Sequence, residues 1–382
     1  VPSAFRRVRL PPVTLWSSSE RASLGIPLFV SNTVGHIAAG GIPQPNDTAP
    51  FGTLKPEMSS SFEIGTEWKF FDYRMDVDLT FYKTNTKNQL FSLPSSAGAA
   101  YKYYFVNAGN IQNMGVELTL GAVPILTNQF KWNTTLNFSR NKNEVKKLHD
   151  DLASFIQGDE GFSSSYTMRL VEGGSFGDIY GKAFERDKYG AIVYGRDGLP
   201  QEIGSGNTAK VGNCNPAFLL GWGNSFTYKD FSFYFLIDGH FGGDVLAQTQ
   251  AVLDQTGVSK VSGETRTMGY VDLEGHHIYN IKGFYEQVGG RNGVTEYYMY
   301  DATNIRLREL SLGYTLPKRL LGRKQFVKKA ELSFVARNLF FIYKKAPFDP
   351  DAVLSASNSN QGIDIFGIPT TRSVGFNVKL SF

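Results

Sequence analysis

Alternation with a period of two runs through most of this chain. At its end, Val374, Phe376, Val378, Leu380 and Phe382 interleave with Ser373, Gly375, Asn377, Lys379 and Ser381. Successive side chains of a strand point to opposite faces, so this segment has one apolar and one polar face. Upstream, Phe62, Ile64, Trp68 and Phe70 alternate with Glu63, Gly65, Glu67 and Lys69. Tyr73, Met75, Val77, Leu79 and Phe81 then alternate with Arg74, Asp76, Asp78, Thr80 and Tyr82. Phe130, Trp132, Leu136 and Phe138 oppose Lys131, Asn133, Thr135, Asn137 and Ser139 in the same way. In the run Phe231, Phe233, Phe235, Ile237, the polar side carries Asp238 and His240. Over 301–316 the phase changes near Glu309: Ile305 and Leu307 fit one face, Leu310, Leu312 and Tyr314 the other. A β-bulge produces such a flip.

These runs predict about eleven strands, at 59–71, 73–86, 110–122, 127–141, 161–171, 176–186, 214–228, 230–242, 301–316, 328–343 and 371–382. Residues 1–58 read mostly as external loop with room for one strand more. Connections at 72, 123–126, 172–175 and 229 are short, and 317–327 is longer. The alternate ones, 87–109, 142–160, 187–213, 243–300 and 344–370, are all long. Short turns on one side and long loops on the other are the mark of an up-and-down transmembrane barrel. A sandwich scatters its long connections over both ends. Counting back from a closing strand that ends at Phe382 puts every long loop outside. The expected fold is therefore all-β, an antiparallel up-and-down transmembrane β-barrel with 11–12 strands in 59–382 and its N-terminal flank.

Composition agrees. Of the 382 residues 41% are hydrophobic, the mean hydropathy is −0.23, and no window approaches the roughly 18 apolar residues of a membrane helix. That excludes a helical membrane protein and leaves a barrel open, because alternating strands average to a polar hydropathy. Aromatic residues make up 14%, with 30 Phe and 19 Tyr, which suits strands and interfacial belts. A net charge of +4, with 35 acids among the bases, gives no footprint for nucleic acid. The single cysteine, Cys214, excludes an intrachain disulfide and a multi-cysteine metal site. The opening VPSAFRRVRL has no secretory leader pattern, so an exported barrel with this sequence is expected to begin inside a longer protein.

Several blocks resemble a known family. LKPEMSSSFEIGTEWKFF (54–71) and NAGNIQNMGVELTL (107–120) are similar to strands of TonB-dependent transporters. GNCNPAFLLGWGNSFTYKDFSFYFLIDGHFGGDV (212–245), DATNIRLRELSLGYTLPK (301–318) and ARNLFFIYKKAPFDPDA (336–352) resemble the SusC/RagA branch of that family. Cys214 stands where that pattern has proline. The resemblance implies a plugged barrel of about 22 strands, of which this chain would supply the C-terminal half. It further implies residence in a Gram-negative outer membrane, contact with its lipid, a SusD-like surface lipoprotein as partner, and import of a glycan or peptide powered through TonB. No cofactor and no catalysis are implied.

Motifs that suggest enzymes lack their context. Gly173-Gly174-Ser175-Phe176-Gly177 matches a nucleophile elbow but sits in a glycine-rich turn between strands. The glycines of 204–209 have no βαβ unit around them. His276 and His277 are neighbours in a strand, point apart and have no third ligand marked; no metal site is expected. DKYGAIVYGRD (187–197) lacks calcium-loop spacing. Substrate-contact candidates are Tyr270, Tyr279, Tyr285, Tyr297, Tyr298 and Tyr300, flat rings with a hydroxyl, against the plainer reading of loop packing. Asp238, His240, Arg306 and Arg308 are further substrate-contact candidates, Asp238 and His240 as lining of a lumen first and ligand contacts second, while the phase change leaves the face of Arg306 and Arg308 open.

Three functions fit these residues. One is TonB-dependent import as the barrel of a SusC/SusD-like complex. Another is a structural or docking barrel without active transport. The third, a soluble carbohydrate-binding module, conflicts with one-sided loops and with Phe376, Val378, Leu380 and Phe382 as a closing-strand assembly signal. Replacing Phe382 with Asp should reduce the yield of folded protein in outer-membrane fractions; undiminished yield would remove the tail's assigned role.

Overall fold

The structure, a computed structural model, describes residues 19–21, 36–37, 43–44, 54–94, 103–107, 109–148, 154–156, 165–204, 208–321, 326–353 and 360–382. Most of the flank expected over 1–58, and 205–207 of the second glycine motif, lie outside the described residues. One antiparallel sheet dominates, with ten strands in chain order. They are β1 (Ser19–Arg21), β2 (Met58–Phe70), β3 (Met75–Lys87), β4 (Asn110–Leu126), β5 (Phe130–Lys147) and β6 (Phe218–Tyr228). β7 (Phe231–Phe241), β8 (Asn304–Thr315), β9 (Lys329–Lys344) and β10 (Ser373–Ser381) complete it.

Register turns the alternation into two continuous surfaces. Trp68, Val77, Leu120, Leu136, Trp222, Ile237 and Leu307 stand side by side across seven strands. One residue along, Glu67, Asp78, Thr119, Asn137, Gly221, Asp238 and Arg306 form the matching polar row. A slip of one residue would exchange the two faces, so the pattern pins the pairing. Aromatic cross-strand pairs reinforce the outer face, as where Trp132 stacks on Phe226 at 5.7 Å. The apolar row stays open to its surroundings, with Phe62 51% and Leu312 52% exposed.

The predicted bulge is present. Leu236 opposes Glu309 and Ile237 opposes Leu307, leaving Arg308 without an opposite residue on β7. On β9 the compensation falls at Asn338, which takes a φ of 52°. Arg306, Arg308 and Glu309 consequently all lie on the polar side.

Two expected strands are elsewhere. The runs predicted at 161–171 and 176–186 form the short strands Tyr166–Val171 and Asp178–Gly181, which belong to a separate four-stranded sheet. Six and four residues are too few for a tilted crossing, which needs about 9–11. β5 pairs directly with β6, so 142–160 and 187–213 are two parts of one connection, 148–217. Because a pair of strands drops out, parity is unchanged: 88–109, 148–217, 242–303 and 345–372 still share one end. The opposite end has 71–74, 127–129, 229–230 and 316–328. Among the described residues the sheet thus has ten strands, where 11–12 were expected over 59–382 and its flank.

The long connections are folded bodies. The stretch 243–300, expected as loop, holds α1 (Gln248–Gln255), α2 (Lys260–Met268) and α3 (Ile281–Val288). α2 begins at Ser259, whose Oγ accepts the Ser262 N–H at 2.9 Å, and stops at Gly269 with a φ of 85°. α3 is capped by Asn280, which accepts from Gly283 N. The largest buried apolar cluster unites Tyr166, Met168, Leu246, Phe284, Val288 and Ile363, drawn from three connections. None of its members lies in β1–β10. Gly243 (φ 79°) turns the chain out of β7 into this body, where a Cβ would stand 3.0 Å from the Cys214 carbonyl. Burial pushes the Cys214 thiol up to about 12, so it stays protonated and unreactive.

Phe284 is fully buried in that cluster. Phe284→Ala should destabilise the external body by about 3 kcal/mol, read as faster amide exchange in α1 and α3 with the β2–β9 ladder unchanged. Equal loss of protection in the ladder would show that the two parts do not open separately.

Candidate ligand-facing site on the polar wall

The polar row is richest where β7, β8 and β9 meet the last connection. Arg306 is 1% exposed, and its guanidinium carbon sits 4.2 Å from the centre of the Phe341 ring. Its Nη2 donates to Asp349 Oδ1 at 3.0 Å and Asp351 Oδ2 at 2.8 Å, and its Nη1 to Thr370 Oγ1 at 3.0 Å. Arg308, placed by the bulge, donates through Nε to Asp238 Oδ2 at 2.9 Å and through Nη1 to Asn338 Oδ1 at 3.1 Å. Its Nη2 reaches Asp351 at 3.4 Å, so both arginines share that carboxylate. Asn338 adds a bond from Nδ2 to the Thr371 carbonyl. Both ends of the connection 345–372 are therefore bound to the wall.

Electrostatics favour this closure. Burial works against the charge of Asp349, yet the Thr370 hydroxyl, the Asp351 backbone N–H and Arg306 outweigh it and hold its carboxyl below the usual range. The buried arginine has its charge met on two sides, the condition under which such a group is tolerated.

Beside this network lies a cavity of about 510 Å³ whose walls include Glu117, Asn137, Asp238, His240, Arg308 and Asp351. Asp238 Oδ1 and His240 Nε2 are buried and have no hydrogen-bond partner among the described residues. Unmet polar atoms carry a desolvation cost that a ligand group or a water can relieve. Asp238, His240 and Arg308 bring a carboxylate, an imidazole and a guanidinium to the lining of this cavity. Among the described residues no cluster of three or more metal-ligating side chains occurs.

The candidates Asp238, His240, Arg306 and Arg308 are thus brought together, while the six tyrosines are elsewhere. Tyr285 and Tyr298 are 4% and 1% exposed, and Tyr297 and Tyr300 pack against the same cluster. Tyr298 donates to Asp254 Oδ2 at 3.1 Å, and burial pushes its hydroxyl and that of Tyr297 up. Packing, not ligand contact, occupies these four. Tyr270 stacks on His277 at 4.0 Å with Tyr279 edge-on, and Tyr279 is 74% exposed, so this pair alone faces outward. His276 lies against Tyr194 instead, so the two histidines do not converge. Asp187 accepts from the backbone N–H groups of Tyr189 and Ala191, and Asp197 from that of Leu199, so both brace turns. Ser175 Oγ accepts from Gly177 N and Asn213 Nδ2, which makes it a turn brace. Asp349, Asp351 and Thr370 were missed: FDPD looks like any loop, and nothing local ties it to arginines over 40 residues away.

Comparison with known proteins places this sheet. The family model described as TonB dependent receptor-like, beta-barrel, matches residues 14–339. The chain belongs to that family. Its apolar row therefore faces outer-membrane lipid and its polar row the lumen. Members of the family are receptors and transporters rather than enzymes. TonB-dependent receptor P3 of Formosa agariphila is 27% identical over 356 residues, 85% of this chain and 34% of that protein. TonB-dependent receptor SusC of Bacteroides thetaiotaomicron is 22% identical over 354 residues, 86% and 32%. The chain spans about a third of the length of these curated relatives. Among solved structures, the RagAB peptide transporter superposes with a TM-score of 0.68 at 17% identity, over 97% of this chain and 38% of that one. At that identity the likeness establishes the fold, which is of the SusC/RagA type.

Arg306→Ala would strand Asp349 and Asp351 against the wall. A loss of about 3 kcal/mol is expected for removing one side of such a pair, measured by urea unfolding in liposomes, together with proteolytic opening of 345–372. Retained resistance to protease would rule out Arg306 as the tie.

Proposed function

We propose that the protein to which this chain belongs imports a glycan or an oligopeptide across the outer membrane, driven through TonB, with a SusD-like lipoprotein on its external face. The observation that carries this is the lumen cavity beside Arg308. Asp238 and His240, each carrying a buried polar atom with no partner among the described residues, line it beside a folded body held to the wall by Arg306. A barrel serving only as a dock has no need of unmet hydrogen-bonding groups on an inner wall. Family membership supports the energy source, the likeness to SusC and RagAB supports the lipoprotein partner, and the likeness to the RagAB peptide transporter supports the peptide class.

The test uses the complete gene product in its native membrane. Uptake of labelled oligosaccharides and oligopeptides should be lost when TonB is deleted and restored when it is supplied. Normal assembly with no TonB-dependent uptake of either class would favour the docking role instead.

A further inference from the structure

A second cavity, of about 330 Å³, lies where the external ends of β3, β4 and β5 meet the connections 148–217 and 345–372. Among the described residues its lining carries no charge. The wall supplies Thr86, Asn113, Asn141 and Asn143; Gln89 follows β3, and Asn215 and Gln361 come from the external body. This differs from the cavity at Arg308, where Glu117, Asp238 and Asp351 face an arginine.

The amides are wired together in a way that leaves groups over. Asn113 Oδ1 accepts from Asn141 Nδ2 at 3.2 Å and from Asn143 Nδ2 at 3.0 Å. Asn143 Oδ1 in turn accepts the backbone N–H of Phe176 at 2.9 Å, which fixes the connection to the wall. With its oxygen taken twice, Asn113 has its NH₂ group to offer. Asn215 spends Nδ2 on Ser175 Oγ and keeps its oxygen. Gln89 Oε1 is buried with no partner among the described residues. Phe176 and Ile111 border the cavity but are almost wholly buried, which leaves the lining mostly polar.

We propose that this cavity is a subsite for a neutral, polyhydroxylated ligand, a stretch of uncharged glycan, at the mouth of the lumen. The inference rests on the import function above. Each sugar hydroxyl both donates and accepts, and an amide head offers one donor and one acceptor side by side. Phe176 and Ile111 expose little of their surface there, so recognition rests on the amides. A charged oligopeptide would enter without any counter-charge, and burying an unpaired charge is costly. Neutral amides are the lining that selects hydroxyls over ions.

Asn113→Asp tests this with little risk to folding, since a carboxylate still accepts from Asn141 and Asn143. It removes the spare donor and adds a charge. Gln361→Glu does the same from the connection, where no internal bond is disturbed. The complete transporter in detergent would be titrated calorimetrically with neutral hexasaccharides of gluco, manno and xylo configuration, and with neutral and charged decapeptides. At least one hexasaccharide should bind, with both variants weakening it about tenfold, the equivalent of one hydrogen bond of about 1.4 kcal/mol. Unchanged affinity in both variants, binding by peptides alone, or no hexasaccharide binding at millimolar concentration would each overturn the proposal. TonB-dependent uptake measured in parallel separates the two levels: its persistence beside any of those results removes the glycan subsite and leaves import standing, whereas its absence removes import itself.

Discussion

Backbone hydrogen bonding inside hydrocarbon is the constraint on which everything else here depends. Without water, each strand N–H and C=O needs a partner on the neighbouring strand, so the chain can cross only as an uninterrupted antiparallel ladder. β2–β9 meet that demand over 11 to 18 residues each. Once the ladder is set, the two-residue period forces Trp68 and its row toward lipid and Glu67 and its row toward the lumen. The one internal break between β7 and β8, at Arg308, lies on the lumen side, where a charged side chain gains a partner in Asp238.

The external body answers to a different physics. Its residues are in water, so they gain stability by burying apolar surface against one another. No single connection is large enough to do this alone. Three of them pool side chains into one cluster, and Arg186 ties 148–217 to 242–303 through Glu274 and Glu296. A parallel pairing of Leu246–Ala247 with Ile363–Asp364 adds 345–372. The Arg306 network then joins this shared body to the wall. Both cavities border the polar wall beside it, one with charge and one without, so a solute entering from outside would meet amides at the strand ends as well as ions deeper on the wall.

Much of the wall was legible beforehand because alternation is a local signal. The bulge near Glu309 followed from Leu307 and Leu310 falling out of phase, and Asp238 and His240 from standing opposite phenylalanines. The segment 161–186 reads as membrane strands because Tyr166, Met168 and Leu170 alternate as faithfully in a six-residue strand of a separate four-stranded sheet, where they are buried. The helices of 243–300 had a readable start at Ser259 and stop at Gly269, but tyrosines drew attention to surface chemistry. Tyr285 and Tyr298 are core residues whose hydroxyls have partners within the body.

By itself, the order of residues determined the strand faces, the sidedness of the connections and the polar face of Asp238 and His240. Those properties follow from period and parity, which depend on near neighbours in the chain. Only the tertiary structure decided that Arg306 meets Asp349 and Asp351, that three connections share one core, and that Asn113 faces Asn215 and Gln361 across a cavity. Such contacts join residues some 40 to 250 positions apart, and their pairing depends on shapes and loop closures that no local pattern encodes.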